Sequence, residues 1–152
     1  MEPKFIAHDP PRVYSKACVY GNLIFLAGED SKDPKTQVVQ GATVAEQAEY
    51  LFQNLRSTLE NLGSSLAGVV KTTVYLKDPR DRPNYQAARM KYLPQTPPST
   101  LIMGIQLAEP EMLIEVDAIA VIPDSRRAYG VVEGDQVSAA PPPGWPAALR
   151  GR

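Results

Sequence analysis

The chain has little of what several classes of protein require. It holds one cysteine, Cys18, and one histidine, His8, among 152 residues. A single cysteine cannot form an intramolecular disulfide, and neither residue has neighbours at metal-ligand spacing, so we expect no metal and no cofactor. The formal net charge is −1, from 16 basic and 17 acidic residues, which provides no electrostatic basis for binding nucleic acid or an anionic membrane.

Long apolar runs and sorting signals are also missing. No apolar stretch approaches the length of a membrane span, and the opening Met-Glu-Pro-Lys lacks the basic run and apolar core of a secretory signal. We therefore expect a cytoplasmic protein. The Gly-rich phosphate loops, His-rich metal spacings and Gly-x-Ser-x-Gly elbow that mark common active sites do not occur either.

One helix running into one strand is the strongest pattern present. Apolar residues recur at helical spacing over 43–62, and Thr43 with Glu46 forms a capping box. Gly63 stands where a helix ends in a left-handed residue. The β-branched run 69–78 then predicts a strand, on which strict alternation places Val70, Thr72, Val74 and Leu76 on one face and Val69, Lys71, Thr73 and Tyr75 on the other.

The rest of the first 122 residues completes an α+β pattern. Strands are predicted over 14–20 and 23–27 around a Gly21-Asn22 hairpin, with a proline-broken loop before them that carries a solvated His8. A second helix, capped by Asn84 and reaching Leu93, precedes strands over 101–107 and 112–122. We expect one mixed sheet with two helices on one face.

From Pro123 onward the composition changes. The run 141–146 reads Pro-Pro-Pro-Gly-Trp-Pro and cannot form regular structure. We therefore divide the chain into a domain at 1–122 and a proline-rich C-terminal tail at 123–152. Val131, Val132 and Trp145 leave open whether this tail is ordered and packs on its own or a neighbouring subunit.

Several blocks of sequence, in matching order, resemble the RidA/YjgF family of reactive-intermediate deaminases. They are Tyr14-Ser15-Lys16-Ala17, the runs 21–28 and 33–36, the Gln47 helix with Asn54-Leu55, and the runs 70–78 and 114–120, within a likeness that spans residues 13–122. The resemblance implies a chorismate-mutase-like subunit. It also implies a homotrimer whose sheets form a central barrel, with small-molecule clefts between neighbouring subunits.

The same resemblance assigns the candidate site residues. Tyr14 matches a cleft tyrosine, and Glu115 matches the glutamate credited with positioning the hydrolytic water. Gly28 matches a glycine of the cleft wall, Glu29 stands where glutamine is common, and Gln86 replaces a helix asparagine. The predicted set is therefore Glu115 and Tyr14 as catalytic residues, with Gly28, Glu29, Gln86, Ser99, Thr100 and Leu101 binding the substrate.

The chain departs from the family at the residue that selects the substrate. Deaminating members clamp the substrate carboxylate with the arginine of a Pro-Ala-Arg-Ser block, a task suited to a bidentate guanidinium. The corresponding segment here is 97–100, where Pro98 or Ser99 takes the place of the arginine, and no arginine occurs from 90 to 124. The implied activity is a cofactor-free hydrolase or lyase on an imine, enamine or related C=N compound other than the standard 2-imino acids.

Other interpretations of these residues remain open. Loss of the arginine equally fits a non-catalytic trimeric protein that binds a small molecule in its intersubunit clefts. The family also carries an old endoribonuclease label, which the near-neutral charge argues against. Tyr14 could be an ordinary strand aromatic. Arg89 could replace the missing cation, although a solvated helix face is the expected place for it.

Overall fold

The computed structural model describes residues 2–123, which form one mixed sheet covered on one face by two helices. The predicted tail at 123–152 lies outside the described residues apart from Pro123. The elements are β1 Lys4–Ile6, β2 Ala17–Tyr20, β3 Leu23–Leu26, α1 Val44–Asn61, β4 Val69–Leu76, α2 Arg82–Tyr92, β5 Ser99–Met103 and β6 Ile114–Val121. The strands lie in the order β1–β2–β3–β6–β4–β5, and all neighbours are antiparallel except β4 and β5. Neither helix in this part of the chain is long and apolar enough to cross a membrane.

Helix α1 begins and ends where its sequence predicts. The Thr43 hydroxyl accepts from the Glu46 amide at 3.3 Å, and the Glu46 carboxylate accepts from the Thr43 amide at 3.1 Å. Gly63 has a φ of +81°, a conformation that other residues rarely adopt. Each large apolar side chain buried by the helix contributes about 1.5–3 kcal/mol before chain entropy is counted. Those that are fully buried are Val44, Leu51, Phe52, Leu55 and Leu59.

The N-terminal part of the sheet differs from the prediction. Gly21 has a φ of +62° and turns the predicted hairpin, but β2 begins at Ala17 rather than at residue 14. The expectation of an irregular segment over 1–12 is wrong, because β1 forms there and pairs with β2. A three-residue edge strand is too short to carry a periodicity of its own. Its hydrogen bonds to β2 decide its structure.

A β-bulge shifts the first residues of β4. Val69 is buried and Val70 is 42% exposed, although strict alternation placed Val70 on the face of Val74. The register shifts between Val69 and Lys71, so one extra residue is inserted there and the predicted faces of Val69 and Val70 are wrong. From Thr72 to Leu76 the alternation holds.

The remaining helices and strands are of the type that the sequence predicts, but they begin and end at different residues. Helix α2 begins at Arg82, two residues before the predicted cap at Asn84, and links the parallel strands β4 and β5. Strand β5 spans Ser99–Met103 instead of 101–107, since Gly104 with a φ of +77° turns the chain away. Strand β6 spans Ile114–Val121 instead of 112–122, and its residues alternate between buried and half-buried positions.

No helix of the described chain covers the other face of the sheet, which we call the open face. Cross-strand register places Phe25 and Ile119 on it together, and Tyr75 there with Ile102. Phe25 is 41% exposed and Ile102 is 38% exposed. Glu115 lies on this face as well, because it pairs with Tyr75.

Candidate functional site

Glu115 is held on the open face by the two buried residues that flank it. Ile114 and Val116 are fully buried toward the helices, so alternation along β6 directs the Glu115 side chain the other way. The carboxylate lies against Gly28: a Cβ atom on Gly28 would stand 1.9 Å from Glu115 Oε1. Glycine at position 28 therefore makes room for this carboxylate.

The surroundings of Glu115 make its carboxyl group a better proton acceptor. Partial burial raises the pKa of Glu115, the negative charges of Asp30 and Asp117 raise it further, and Lys32 opposes them. Desolvation disfavours the charged form of an acid, and neighbouring carboxylates act in the same direction. A carboxylate whose pKa is raised is suited to general-base chemistry near neutral pH.

Glu29 occupies a different environment from Glu115. Its backbone pairs with Val116 through an amide-to-carbonyl hydrogen bond of 2.8 Å. Its carboxyl group accepts a hydrogen bond of 2.7 Å from the hydroxyl of Thr58, so the side chain lies on the α1 side of the sheet. Burial raises the pKa of Glu29, although the Thr58 hydrogen bond opposes this.

Tyr14 lies in the segment before β2, beside a cation and an imidazole. Its hydroxyl accepts a hydrogen bond of 3.0 Å from Arg12 Nη1, and its ring meets His8 edge-on with 5.1 Å between centroids. His8 is not the solvated loop residue expected, since its Nε2 atom is buried without a hydrogen-bond partner. No hydrogen bond joins Tyr14 to Glu115 within residues 2–123 of one chain.

A cavity of about 210 Å³ opens between the N-terminal segment, residues 27–37 and α1. Of the predicted site residues, Gly28 and Glu29 line it and the other six do not. Its walls carry charged and polar groups from all three segments. They include His8, Arg12, Lys16, Asp30, Lys32, Gln37, Asn54, Ser57 and Asn61.

The structure places the other predicted binding residues on the far side of the subunit. Strand β5 is the edge strand farthest from β1, and β6 and β4 separate it from the Gly28 end of β3. Thr100 shares the open face with Glu115, whereas Ser99 and Leu101 pair with Thr72 and Val74 on the helix side. Gln86 is exposed on α2. One chain therefore brings Glu115 and Gly28 together, but not these four residues.

Arg89 is a structural residue that the sequence interpretation misplaced. It is half-buried, and its guanidinium donates to the Thr72 hydroxyl at 3.0 Å, to the Tyr85 hydroxyl at 3.2 Å and to the Pro97 carbonyl. The expected solvated helix face is thus wrong for Arg89. The four-residue spacing between Tyr85 and Arg89 places both side chains on the same face of a helix, and this spacing could have predicted their contact. These contacts fasten the segment that leads into β5.

Within residues 2–123 no group of three or more His, Cys, Asp or Glu side chains is arranged to hold a metal ion.

Comparisons with known proteins agree on one family. The family model described as endoribonuclease L-PSP matches residues 6–122. A RutC family protein of Pyrococcus abyssi is 35% identical over 114 residues, which cover 75% of this chain and 90% of the relative. A protein of Dermatophagoides farinae named 2-iminobutanoate/2-iminopropanoate deaminase is 24% identical over 127 residues, covering 80% of this chain and 99% of that protein.

The fold agrees with the same assignment. The crystal structure of the YjgF gene product of E. coli superposes with a TM-score of 0.68 and 29% identity, covering 78% of this chain and 98% of that one. The mixed sheet with two helices is the architecture shared by these proteins. The family match and the fold together show that this chain is a member of the RidA/YjgF family.

Proposed function

We propose that this protein is a divergent small-molecule enzyme of the family, a cofactor-free hydrolase or lyase acting on a C=N compound. The observation that carries the proposal is Glu115, a half-buried carboxyl group with a raised pKa that lies against Gly28 on the open face. The deaminase name of the Dermatophagoides relative supports the reaction class.

The proposed reaction needs one proton acceptor and one water molecule. Glu115 takes a proton from water as the water oxygen attacks the carbon of the C=N bond, and it passes that proton to the nitrogen. The hydroxyl proton of the resulting carbinolamine then moves, again through Glu115, to the nitrogen. A C=O bond forms as the C–N bond breaks, and the nitrogen leaves as an amine or ammonia. General-base assistance by one positioned carboxylate accelerates a reaction by about 10²–10⁴-fold. That is sufficient for an imine, which already hydrolyses readily in water. Tyr14 would orient the ligand.

The active form in this proposal is a homotrimer with its clefts between subunits. The open face exposes apolar side chains such as Phe25 and Ile102, which a partner sheet would cover. Gln86, Ser99, Thr100 and Leu101 lie far from Gly28 in one chain, and a neighbouring copy could supply them. The cytoplasmic location predicted from the sequence belongs to the same proposal.

The substrate of this proposal is not a standard 2-imino acid. Pro98 or Ser99 stands in place of the arginine that clamps the carboxylate in deaminating relatives. In one chain Arg89 does not replace it, because Thr72, Tyr85 and Pro97 hold its guanidinium on the helix side of the sheet, whereas Glu115 lies on the open face. A free carboxylate beside Glu115 would therefore meet a like charge, and the nearby cation Lys32 is already paired with Asp30 and Glu109.

A substrate panel tests this proposal. Imines and enamines with and without a carboxylate should be offered to the wild type, to Glu115→Gln and to the control Glu60→Gln. Glu60 is an exposed glutamate at the end of α1. We expect turnover of at least one imine that lacks a 2-carboxylate, its loss in Glu115→Gln, and its retention in Glu60→Gln. Equal rates in all three proteins would refute the role of Glu115.

Loss of the arginine favours a second candidate, a trimeric protein that binds a small molecule without converting it. The same panel separates the two functions. Saturable binding without turnover of any imine would establish the binding protein. Turnover that depends on Glu115 would exclude it.

A further inference from the structure

We propose that the cavity between the N-terminal segment and α1 is a binding site for a small oxyanion, a compact molecule with a carboxylate or phosphate group. Arg12 and Lys16 are its cationic groups. The inference goes beyond the proposed function, because it requires no reaction at Glu115.

Arg12 and Lys16 are the cavity cations that lack an acidic partner. Lys32, the third lysine or arginine of the wall, lies 3.6 Å from Asp30 and 2.6 Å from Glu109, and these two carboxylates compensate its charge. Within residues 2–123, neither Arg12 nor Lys16 forms an ion pair. Two cations without a salt-bridge partner on the wall of one cavity favour an anion within it.

Neutral groups hold the Arg12 guanidinium in place. Its Nη1 donates to the Tyr14 hydroxyl at 3.0 Å, and its Nη2 donates to Gln37 Oε1 at 2.6 Å. A guanidinium has five N–H groups, so these two hydrogen bonds orient it and leave donors for a ligand. The charge is therefore both positioned and available.

Gln37 is itself in a conformation that ordinary residues avoid. Its backbone φ is +61°, and its side-chain Nε2 donates to the Pro34 carbonyl at 2.9 Å. Backbone in the left-handed region at a residue other than glycine is enriched at functional sites, where the surrounding structure enforces it. Here the turn at 33–37 directs the Gln37 side chain toward Arg12.

No acidic group of the wall forms a salt bridge with Arg12 or Lys16 in the part of the chain that the structure describes. Asp30 is engaged by Lys32, and the Glu29 carboxyl group accepts its hydrogen bond from Thr58. Burial raises the pKa of Glu29, whereas the charges of Lys16 and Arg12 lower it. Asp9 is exposed and lines the same cavity. The two cations therefore lie near carboxylates without being paired to any of them.

His8 and the cavity size fit a small polar ligand. Burial and the charges of Arg12 and Lys16 lower the pKa of His8, although the charge of Asp30 opposes them. The buried Nε2 atom of His8 has no hydrogen-bond partner in the described residues. A volume of about 210 Å³ lies below the usual 300–1,000 Å³ of drug-sized pockets. On the α1 wall, the exposed side chains of Ser57 and Asn61 add further hydrogen-bonding groups.

The test is a binding titration of the full-length protein at low salt with pyruvate and with inorganic phosphate. Arg12→Gln and Lys16→Gln should each weaken binding by about tenfold or more, as expected for a charge-assisted contact. Lys35→Gln is the matched control. It removes an exposed lysine near the cavity but outside its wall, and affinity should change less than twofold.

Each outcome decides between the possibilities. Binding of pyruvate alone identifies a carboxylate site, binding of phosphate alone a phosphate site, and either supports the proposal when Arg12→Gln weakens it. Failure of both anions to bind the wild type overturns it, as does equal weakening by Lys35→Gln. Glu115→Gln should leave anion affinity unchanged while lowering the rate of imine turnover by about 10²–10⁴-fold. The two proposals can therefore fail separately.

Discussion

A methyl group at Gly28 is the sharpest perturbation of the proposed chemistry. In Gly28→Ala the new Cβ would meet three side-chain atoms of Glu115, at 1.9 Å from Oε1, 2.5 Å from Cδ and 2.9 Å from Cγ. The three heavy atoms nearest to the new Cβ thus all belong to the Glu115 side chain, and the backbone of Gly28 does not have a left-handed conformation that would disfavour alanine. The substitution therefore acts on the position of one carboxylate.

The size of the effect follows from these distances. Increasing the closest contact from 1.9 Å to the 3.4 Å where ordinary van der Waals contact begins requires a carboxylate shift of about 1.5 Å. A misplacement of about 1 Å in a catalytic arrangement can cost about 100-fold in rate. Stability should change by less than about 1 kcal/mol, since a half-exposed flexible side chain can rotate away.

The assay is a double-mutant cycle with Glu115→Gln, read as kcat for the imine that the wild type hydrolyses best and as melting temperature. We expect Gly28→Ala to lose about 100-fold in rate in the wild type and little in Glu115→Gln, because the group that it displaces is then already inactive. Equal losses in both backgrounds, or a Gly28→Ala protein with the wild-type rate, would refute this account of Glu115.

Because Glu115 acts as the carboxylate and burial raises its pKa, kcat/KM should fall as the pH drops through that raised value, and the acid limb should lie above the pH typical of a glutamate and vanish in Glu115→Gln. Sedimentation at micromolar concentration should give a trimer, and a clean monomer would contradict the intersubunit cleft. Pro98→Arg or Ser99→Arg should raise hydrolysis of 2-imino acids generated by an amino-acid oxidase, whereas a wild type already as fast as a deaminating relative would show that another cation binds the carboxylate. Deleting residues 125–152 should leave the melting temperature unchanged, since the family match ends at 122, and a large drop would mean that this segment is part of the fold.

Local signals were sufficient for the central helix and the hairpin. The capping box of Thr43 and Glu46, the left-handed Gly63 and the apolar spacing of α1 all involve residues within a few positions of one another. Gly21 likewise determines its own turn. Such features could be predicted because their energies depend on neighbours along the chain.

Hydrogen bonding between strands that are distant in sequence determined two features of the sheet that the sequence did not predict. Strand β1 exists because β2 lies beside it, and the bulge at Val69 follows from its register with β6. Neither leaves a periodic signature, since each arises from hydrogen bonds between distant segments.

The candidate site divides in the same way. The sequence, through its family resemblance, named Glu115 and Gly28, and alternation along β6 was enough to place Glu115 opposite the core. Tertiary structure alone decided that Glu29 bonds Thr58, that Arg89 fastens Pro97, and that Arg12 meets Tyr14 beside a cavity. The position of a charged side chain depends on which hydrogen-bonding or charged partner the fold brings near it. A long flexible side chain can reach several such partners, and the sequence around it does not determine which of them will be present.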